Sequence, residues 1–291
     1  MNSPITRVAA IHDLSGFGRT SLSIIIPIIS SMGIQVCPVP TAILSTHTGG
    51  FTDYKFIDLT DHLEEYIGHW VKLGVKLDCL YSGFLGSPRQ IDIISHFMDV
   101  YAASDEPFIV IDPVLGDNGK LYQTMNNEMV YKMRSFISRA DLITPNFTEA
   151  VFLLEKKYKV ISDQEIKEWL LELSAMGPRI VIITSVPDKK TTKSTNVVAY
   201  DKEDGRFWKI RCDYIPAHFP GTGDGFTSVI LGSMLKGDSL PLALDRAVQF
   251  ITQAIRASYG YRYPERDGVL LERVLDNLKA PVTTSSYQIL E

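Results

Sequence analysis

A glycine-rich loop that leads directly into an apolar helix carries the strongest chemical signal in this 291-residue chain. The loop contains Gly221, Thr222 and Gly223 and is followed by Asp224. Glycine lets a backbone turn tightly and approach a ligand, and the free N–H groups at a helix start can hold an anion such as a phosphoryl group. A carboxylate at Asp224 could then accept the proton of a hydroxyl that attacks phosphorus. Taken alone, the same residues could equally form an ordinary helix cap.

A second acidic signal ends the apolar run that begins at Ile109. Asp112 would lie at the carboxyl end of a buried strand, where a complex of Mg²⁺ with phosphate would need a hard oxygen ligand. The simpler interpretation is a turn stabilised by Asp112 and Pro113.

A third signal is the pair Asn146 and Glu149, which stand three residues apart at the start of a predicted helix. This spacing is typical of a capping box, in which each side chain bonds the backbone N–H of the other residue. A capping carboxylate can also order the water around a metal ion, so the two interpretations are compatible.

The elements that must position these residues alternate along the chain. Strands are predicted at Val8–Ile11, Gln35–Val39, Cys79–Gly83, Phe108–Asp112, Asp141–Thr144 and Ile180–Ser185. Helices are predicted at Ser21–Met32, Leu59–Leu73, Ser87–Ala102, Glu128–Ser138, Thr148–Lys156 and Asp163–Met176. Continuous apolar strands separated by helices predict an α/β fold of three layers, αβα, with a mainly parallel central sheet and helices on both faces.

The pattern changes near residue 190. Asn196–Tyr200 and Arg206–Arg211 predict a hairpin, and helices are predicted at Gly223–Leu235 and Pro241–Tyr259. The segment Asp188–Thr195 is predicted to be a mobile loop. Because no long linker or internal repeat interrupts the chain, we expect one domain over residues 1–291.

Composition excludes several classes of function. The formal net charge is -5, so the chain has no general electrostatic attraction for nucleic acid or an anionic membrane. Cys37, Cys79 and Cys212 are far apart and make no metal-binding spacing. Residues 1–7 lack the features of a signal peptide, and the apolar stretch Leu22–Ile29 is too short to span a bilayer. We therefore expect a cytoplasmic protein.

The three chemical motifs together resemble those of the ribokinase-like kinases, over about residues 8–260. The segment Pro220–Asp224 before a long apolar helix is similar to their C-terminal signature. The run Asp112–Asp117 resembles the Asp-Pro-Val-x-Gly-Asp element of the vitamin B6 and hydroxymethylpyrimidine kinase branch. By this resemblance Asp224 is the catalytic base, and the amides of Gly221, Thr222 and Gly223 form the anion hole.

The resemblance also implies a nucleotide site for ATP with Mg²⁺, and it leaves room for a monovalent cation. The residues implied in ATP binding are Asp112, Thr144, Asn146, Glu149, Thr184 and Ser185, with Glu149 and Asp112 organising the metal. Vitamin B6 kinases often carry a lysine where Val186 stands here, and Lys189, Lys190 or Lys193 could replace it.

The acceptor pocket is implied on the N-terminal side of the chain. Its predicted residues are His12, Asp13, His47, Thr48, Tyr81 and Gly83. The His-Thr pair resembles a segment of pyridoxal kinases, with Thr46 in place of an asparagine. His47 could instead be a structural histidine, and Tyr81 could be an ordinary half-buried tyrosine.

The function that the resemblance implies is ATP-dependent phosphorylation of the hydroxymethyl group of a B6 vitamer, to give the 5′-phosphate. The alternatives are a hydroxymethylpyrimidine kinase and a catalytically silent sensor of vitamer or nucleotide. A sugar kinase is disfavoured because residues 12–60 leave no room for a large lid. We expect a homodimer by analogy, and the segment Ala280–Glu291 could pack as an extra strand or remain unpaired.

Overall fold

A computed structural model describes residues 4–282 and 285–290, and one continuous ten-stranded sheet runs through it. The strands of this sheet are β1 (Arg7–Ser15), β2 (Gln35–Leu44), β3 (Phe56–Asp58), β4 (Cys79–Ser82), β5 (Phe108–Ile111), β8 (Leu142–Ile143), β9 (Ile180–Pro187), β10 (Ser194–Asp201), β11 (Arg206–Asp213) and β12 (Tyr287–Ile289). Two short strands, β6 (Gly116–Asp117) and β7 (Lys120–Leu121), form a separate ribbon.

The centre of the sheet is parallel and its edges are antiparallel. The strand order is β12-β11-β10-β9-β8-β5-β4-β1-β2-β3. The six strands from β9 to β2 pair in parallel, whereas β3 and the group β10 to β12 pair antiparallel. The predicted, mainly parallel sheet is thus confirmed, and it arises because its central strands are continuous apolar runs that can be buried on both faces.

Helices cover both faces, as predicted. The α-helices are α1 (Leu22–Ser31), α2 (Thr60–Leu73), α3 (Pro88–Ala102), α4 (Asn127–Phe136), α5 (Phe147–Leu153), α6 (Asp163–Ala175), α7 (Thr222–Leu235) and α8 (Leu240–Tyr259). Single 3₁₀ turns occur at 137–139, 265–267, 271–273 and 275–279. Side chains of α1, α7 and α8 pack in one apolar cluster, and those of α2 to α6 pack in another on the opposite face. Alternate residues of β1 enter opposite clusters, for example Ala9 and Ala10, which makes the sheet the middle of three layers.

The chain order places a topological switch point beside β1. From β1 the chain continues to β2 on one side, and then it crosses to β4 on the other side. In open α/β sheets, ligands bind outside the carboxyl ends of the strands at such a point. The predicted acceptor residues His12 and Asp13 lie near the carboxyl end of β1, and Tyr81 and Gly83 lie at that of β4.

Three segments differ from the expectations or extend them. Ser194 and Thr195 belong to β10 rather than to a loop, because they pair with Asp213 and Cys212 of β11. The short edge strand β3 was not predicted. The open question of the C-terminal stretch is settled in part, since Tyr287–Ile289 adds to β11 as an antiparallel edge strand. Residues 283, 284 and 291 lie outside the described residues.

Within residues 4–282 and 285–290, no helix combines the length and apolarity that crossing a membrane requires.

Candidate active site

A large cavity opens along the carboxyl ends of the central strands. It has a volume of about 890 Å³. The predicted site residues that line it are Asp13, His47, Thr48, Asn146, Thr184, Ser185 and the loop of Gly221, Thr222, Gly223 and Asp224. The structure thus brings part of the predicted acceptor set, part of the predicted nucleotide set and the whole glycine loop to one cavity, although they lie up to about 200 residues apart in sequence.

The glycine loop is built into the start of α7. Gly221 is the N-cap residue, with φ +82°, a conformation that favours glycine. A Cβ atom at Gly221 would lie 2.0 Å from the carbonyl oxygen of Arg19, so no side chain fits there. Gly223 is exposed at the cavity and has no neighbouring atom within 4 Å of its ideal Cβ position. The loop therefore presents backbone N–H groups at a helix N-terminus, as an anion site requires.

Asp224 stands in the first turn of α7 and is half-buried at the cavity wall. One of its carboxylate oxygens, Oδ2, accepts a hydrogen bond of 2.8 Å from the backbone N–H of Ser21, which caps α1. The N-termini of two helices therefore converge on this carboxylate, and both dipoles favour negative charge there.

The electrostatics of Asp224 suit a proton acceptor near neutral pH. Burial raises the pKa of Asp224 to about 7, the Ser21 N–H opposes this rise, and the nearby charge of Asp13 adds to it. A carboxyl group with this pKa is deprotonated above about pH 7 and becomes protonated as the pH falls below it. A catalytic base works best with a pKa near the working pH, so the environment of Asp224 fits that role.

Two further carboxyl groups lie behind the cavity wall. Asp112 is 6% and Glu149 is 3% exposed. Burial, followed by the charges of Glu149 and Asp224, raises the pKa of Asp112 well above its usual range. Burial likewise raises the pKa of Glu149 to about 8, against the effect of its backbone hydrogen bonds. Two buried, mutually repelling carboxyl groups are a setting in which a bound cation is stabilising.

The capping box at α5 is present in full. The Asn146 side chain accepts a bond from the Glu149 N–H at 2.9 Å, and Glu149 accepts one from the Asn146 N–H at 2.7 Å. The other Glu149 oxygen accepts a bond of 3.1 Å from the N–H of Leu115. The capping interpretation is thus confirmed, and the metal role of Glu149 stays a prediction.

Mg²⁺ fits the oxygen donors of this region. Within the described residues, no three His, Cys, Asp or Glu side chains are grouped so that they could hold a metal ion by themselves. Mg²⁺ usually keeps several waters and binds through one or two carboxylates together with substrate phosphates. Asp112, with Glu149 close behind it, offers that kind of partial site.

The predicted nucleotide residues differ in their access to the cavity. Thr184 and Ser185 line it at the end of β9, and Ser185 has φ +57°, which is uncommon for a residue with a side chain. Asn146 lines it too, while its amide nitrogen donates to the carbonyl of Gly116 at 2.8 Å. Thr144 is buried and bonds the hydroxyl of Thr227 on α7 at 2.8 Å. Thr144 therefore joins β8 to α7 instead of facing the cavity.

The acceptor end contains a buried carboxylate, Asp13, just before the end of β1. Its side chain is 6% exposed and accepts a hydrogen bond of 2.5 Å from the hydroxyl of Ser21. Burial raises the pKa of Asp13, partly offset by the bond from Ser21. In the ionised form, which the bond from Ser21 favours, Asp13 could accept a hydrogen bond from a polar substituent of a ring.

His12 and Tyr81 lie beneath the cavity wall and do not line it. Both are completely buried, and their rings pack edge to face with centroids 4.4 Å apart. The His12 ring occupies the space that a Cβ atom at Gly83 would need, 2.2 Å away. Burial lowers the pKa of His12 to about 3, so its ring is neutral. Alternation along β1 explains the placement. Asp13 faces the cavity, so His12 points to the opposite face of the sheet, where Tyr81 packs with α1, α7 and α8.

His47 is held by the protein on both ring nitrogens. Its Nε2 lies 2.6 Å from the carbonyl oxygen of Arg266, and its Nδ1 accepts a bond of 3.1 Å from the N–H of Gly49. With Nε2 as the donor, these two bonds fix the tautomer. The structural role of His47 is therefore visible, and a substrate contact would use its ring face or edge.

Sequence reasoning missed several cavity residues. They are Ser21, Tyr54, Phe56, Phe84 and Tyr122. Phe84 follows Gly83 directly, and a signal for it existed. A side chain inside a strand covered on both faces, such as Tyr81, must enter a layer, whereas residues just past the strand end can face the ligand. Ser21 gave no signal beyond that of an ordinary helix cap.

Comparison with known proteins agrees with this geometry. Residues 26–266 match the family model described as phosphomethylpyrimidine kinase. A pyridoxal kinase of Arabidopsis thaliana is 29% identical over 277 residues, which cover 89% of this chain and 80% of the relative. The pyridoxal kinase structure from Lactobacillus plantarum is 32% identical, with a TM-score of 0.85 over 95% of this chain and 97% of that one.

A more similar structure comes from Bacteroides thetaiotaomicron. That protein, a candidate phosphomethylpyrimidine kinase crystallised with pyridoxal, is 55% identical, with a TM-score of 0.94 over 98% of this chain and 99% of that one. The family match covers well over half of the chain and includes the glycine loop and Asp224. The chain therefore belongs to the phosphomethylpyrimidine kinase family, whose members share the ribokinase-like fold.

Proposed function

We propose that this kinase transfers the γ-phosphate of ATP to the hydroxymethyl group of a B6 vitamer and so forms the 5′-phosphate. The observation that carries the proposal is the position of Asp224. Its carboxylate lies at a helix N-terminus, beside a loop of backbone N–H groups, in a cavity that also contains the acceptor and nucleotide residues.

The proposed reaction is an in-line displacement at the γ-phosphorus. The hydroxymethyl oxygen of the acceptor attacks the γ-phosphorus while Asp224 accepts the hydroxyl proton, and ADP leaves. The amides of Gly221, Thr222 and Gly223 stabilise negative charge on the transferring phosphoryl group. Mg²⁺, when bound near Asp112 and Glu149, would neutralise charge on the phosphate oxygens. Asp224 with a pKa of about 7 can both take the proton and release it afterwards to solvent.

The acceptor end supports a planar heterocycle as the substrate. Phe84 and Phe56 line the cavity there and offer apolar contact to a ring, and the Asp13 carboxylate offers one strong hydrogen-bond acceptor for a ring substituent. The relatives named as pyridoxal kinases, and the 55% identical protein crystallised with pyridoxal, support a B6 vitamer in this position.

At the other end, we propose that ATP lies between the end of β9 and the first helical turns of α5 and α7. Thr184 and Ser185 would contact its phosphates. Val248, Ile251 and Ile255 of α8 line the same cavity and would provide apolar contact for the base.

Hydroxymethylpyrimidine is the second candidate acceptor, because the matching family model is described as phosphomethylpyrimidine kinase. Both rings carry a hydroxymethyl group, so the phosphate side of the site serves either one.

Relative turnover separates the two candidates. We expect kcat/KM for pyridoxal, measured by coupled ADP release, to exceed that for hydroxymethylpyrimidine by at least about 10²-fold. The reason is that a site whose buried polar groups are left unpaired by the wrong ring discriminates strongly. Pyridoxine and pyridoxamine complete the panel. Preference for the pyrimidine would overturn the assignment, and no ADP release with any acceptor would favour a silent sensor.

We further propose that the chain acts as one domain, assembled as a homodimer, in the cytoplasm. The continuous ten-stranded sheet supports the first part. Sedimentation analysis of the purified protein would test the assembly.

A further inference from the structure

Ser21 forms hydrogen bonds to two carboxylates of the cavity. The role inferred for it below rests on the proposed function. Its backbone N–H donates to Asp224 Oδ2 at 2.8 Å, and its hydroxyl donates to Asp13 Oδ1 at 2.5 Å. Both partners line the cavity, as does Ser21 itself. One buried residue therefore bonds the proposed catalytic base with its main chain and a predicted acceptor-binding residue with its side chain.

The backbone of Ser21 is held in an unfavourable conformation. Its φ is +50° and its ψ is -133°, a region that residues with side chains rarely adopt. Such a conformation persists only where surrounding contacts determine it. The contacts here include the hydrogen bonds of Ser21 to Asp13 and Asp224. They also include the bonds that the Ser21 carbonyl accepts from the N–H groups of Ile24 and Ile25.

The hydroxyl of Ser21 does not perform its usual task. Ser21 is the N-cap residue of α1, where a serine normally accepts a bond from the first turn and stabilises the helix by about 1 kcal/mol. No such cap bond is formed, and the hydroxyl donates to Asp13. Ser21 is only 7% exposed. Its hydroxyl therefore contributes to the cavity wall through Asp13 and does not stabilise α1 by capping.

We propose that Ser21 is a positioning residue that couples the acceptor-binding end of the site to the catalytic base. The bond to Asp13 helps to hold the Ser21 backbone at positive φ, and in this conformation its N–H donates to Asp224. An acceptor that binds Asp13 therefore acts on the orientation of Asp224 through a single residue. The coupling favours transfer when the acceptor is seated over hydrolysis of ATP when it is absent.

The first test observes the coupling without relying on turnover. In protein labelled with ¹⁵N-serine, the Ser21 amide signal is identified by its loss in the Ser21→Ala variant. We expect this signal to shift in Asp224→Asn, its direct partner. We also expect it to shift in Asp13→Ala, which touches only the side chain. The exposed Asp163→Asn serves as the control. A Ser21 amide signal that is unchanged in Asp13→Ala would overturn the proposal.

The second test is a double-mutant cycle on kcat with pyridoxal. We expect Ser21→Ala to lower kcat about 10- to 10²-fold, since small displacements of a catalytic group carry costs of that size. In the Asp13→Ala background the same substitution should change kcat less than about 3-fold, because the bond is already lost. If the wild type is active and the effects of the two substitutions on kcat are additive, the coupling is contradicted but the proposed function is not. If the wild type shows no turnover, the proposed function itself is contradicted.

Two further variants separate positioning from folding. Ser21→Gly loses the hydroxyl but tolerates positive φ, so it should retain more kcat than Ser21→Ala while its KM for the acceptor rises. Ser31→Ala removes a hydroxyl at the other end of α1, where it donates to the Ile28 carbonyl of its own helix, and it should leave kcat unchanged. Equal kcat values for Ser21→Ala and Ser21→Gly would show that the conformation of Ser21 does not set the base.

Discussion

Replacement of Asp224 by asparagine is expected to lower kcat at pH 8 by about 10²- to 10⁴-fold, with a change in KM of less than about 3-fold. Asparagine keeps the shape of the side chain and its bond from the Ser21 N–H but cannot accept a proton, and general-base catalysis is worth that factor. Because the interaction is made in the transition state, kcat and kcat/KM should fall together.

The same variant should fold at least as well as the wild type at pH 8. Burial raises the pKa of Asp224 from 3.8 to about 7, so the folded state binds the proton more tightly than the unfolded state. The ionised group therefore lowers the free energy of unfolding as the pH rises from about 4 to 7, and asparagine removes this effect. Asp163→Asn, also in the first turn of a helix, is the matched control and should keep normal turnover. Near-normal kcat in Asp224→Asn would refute its role as the base.

Replacement of Gly221 by alanine is expected to lower kcat by at least about 10²-fold and to destabilise the fold. The new Cβ atom would stand 2.0 Å from the Arg19 carbonyl oxygen, and an L-residue at φ +82° carries a further cost of about 1–2 kcal/mol. Because this contact is between two backbones, no side chain can rotate away to relieve it. The loop must shift, and its N–H groups then leave their positions. Loss of one such donor typically costs 10²- to 10³-fold in kcat.

Two other glycines separate the possible causes. Gly237, just after the end of α7, has φ +87° but no atom within 4 Å of its Cβ position. Gly237→Ala therefore carries only the conformational cost and should lower the Tm while leaving kcat intact. Gly223→Ala meets no protein atom, so a loss of kcat in a stable protein would place the phosphoryl group beside it. If Gly221→Ala and Gly237→Ala had the same kcat, the loop would have no special role.

The fold could be predicted from the sequence because its buried strands are continuous apolar runs. The strand predicted to begin at Ile180 was found to begin there, and the helix predicted to end at Leu235 ends there. The edge strand β3 was not predicted, and β12 was left as one of two alternatives, because each has only three residues, all of them exposed, and so lacks the long apolar run of a buried strand. Ser194 was assigned to a loop because the residues around it give no sign that it pairs with Asp213 of β11.

The site could be predicted as a set of segments but not as a set of contacts. Asp13 follows a predicted strand and Asp224 follows the glycine loop, and these positions, together with the family resemblance, predicted two residues that do line the cavity. The sequence does not state which face of a strand each side chain takes, so Tyr81 was chosen and Phe84 was passed over. Ser21 was invisible for a related reason. Its conformation depends on two partners, one of them 203 residues away.

The pH dependence of the chemical step tests the central claim most directly. Single-turnover phosphorylation of pyridoxal, with ATP and Mg²⁺ saturating, should be fast above about pH 7 and fall tenfold per pH unit well below it, because protonated Asp224 cannot accept the proton. The residual rate of Asp224→Asn should lack this limb. A wild-type rate that is level from pH 5 to 8, or a limb that persists in the variant, would contradict the assignment of Asp224 as the base.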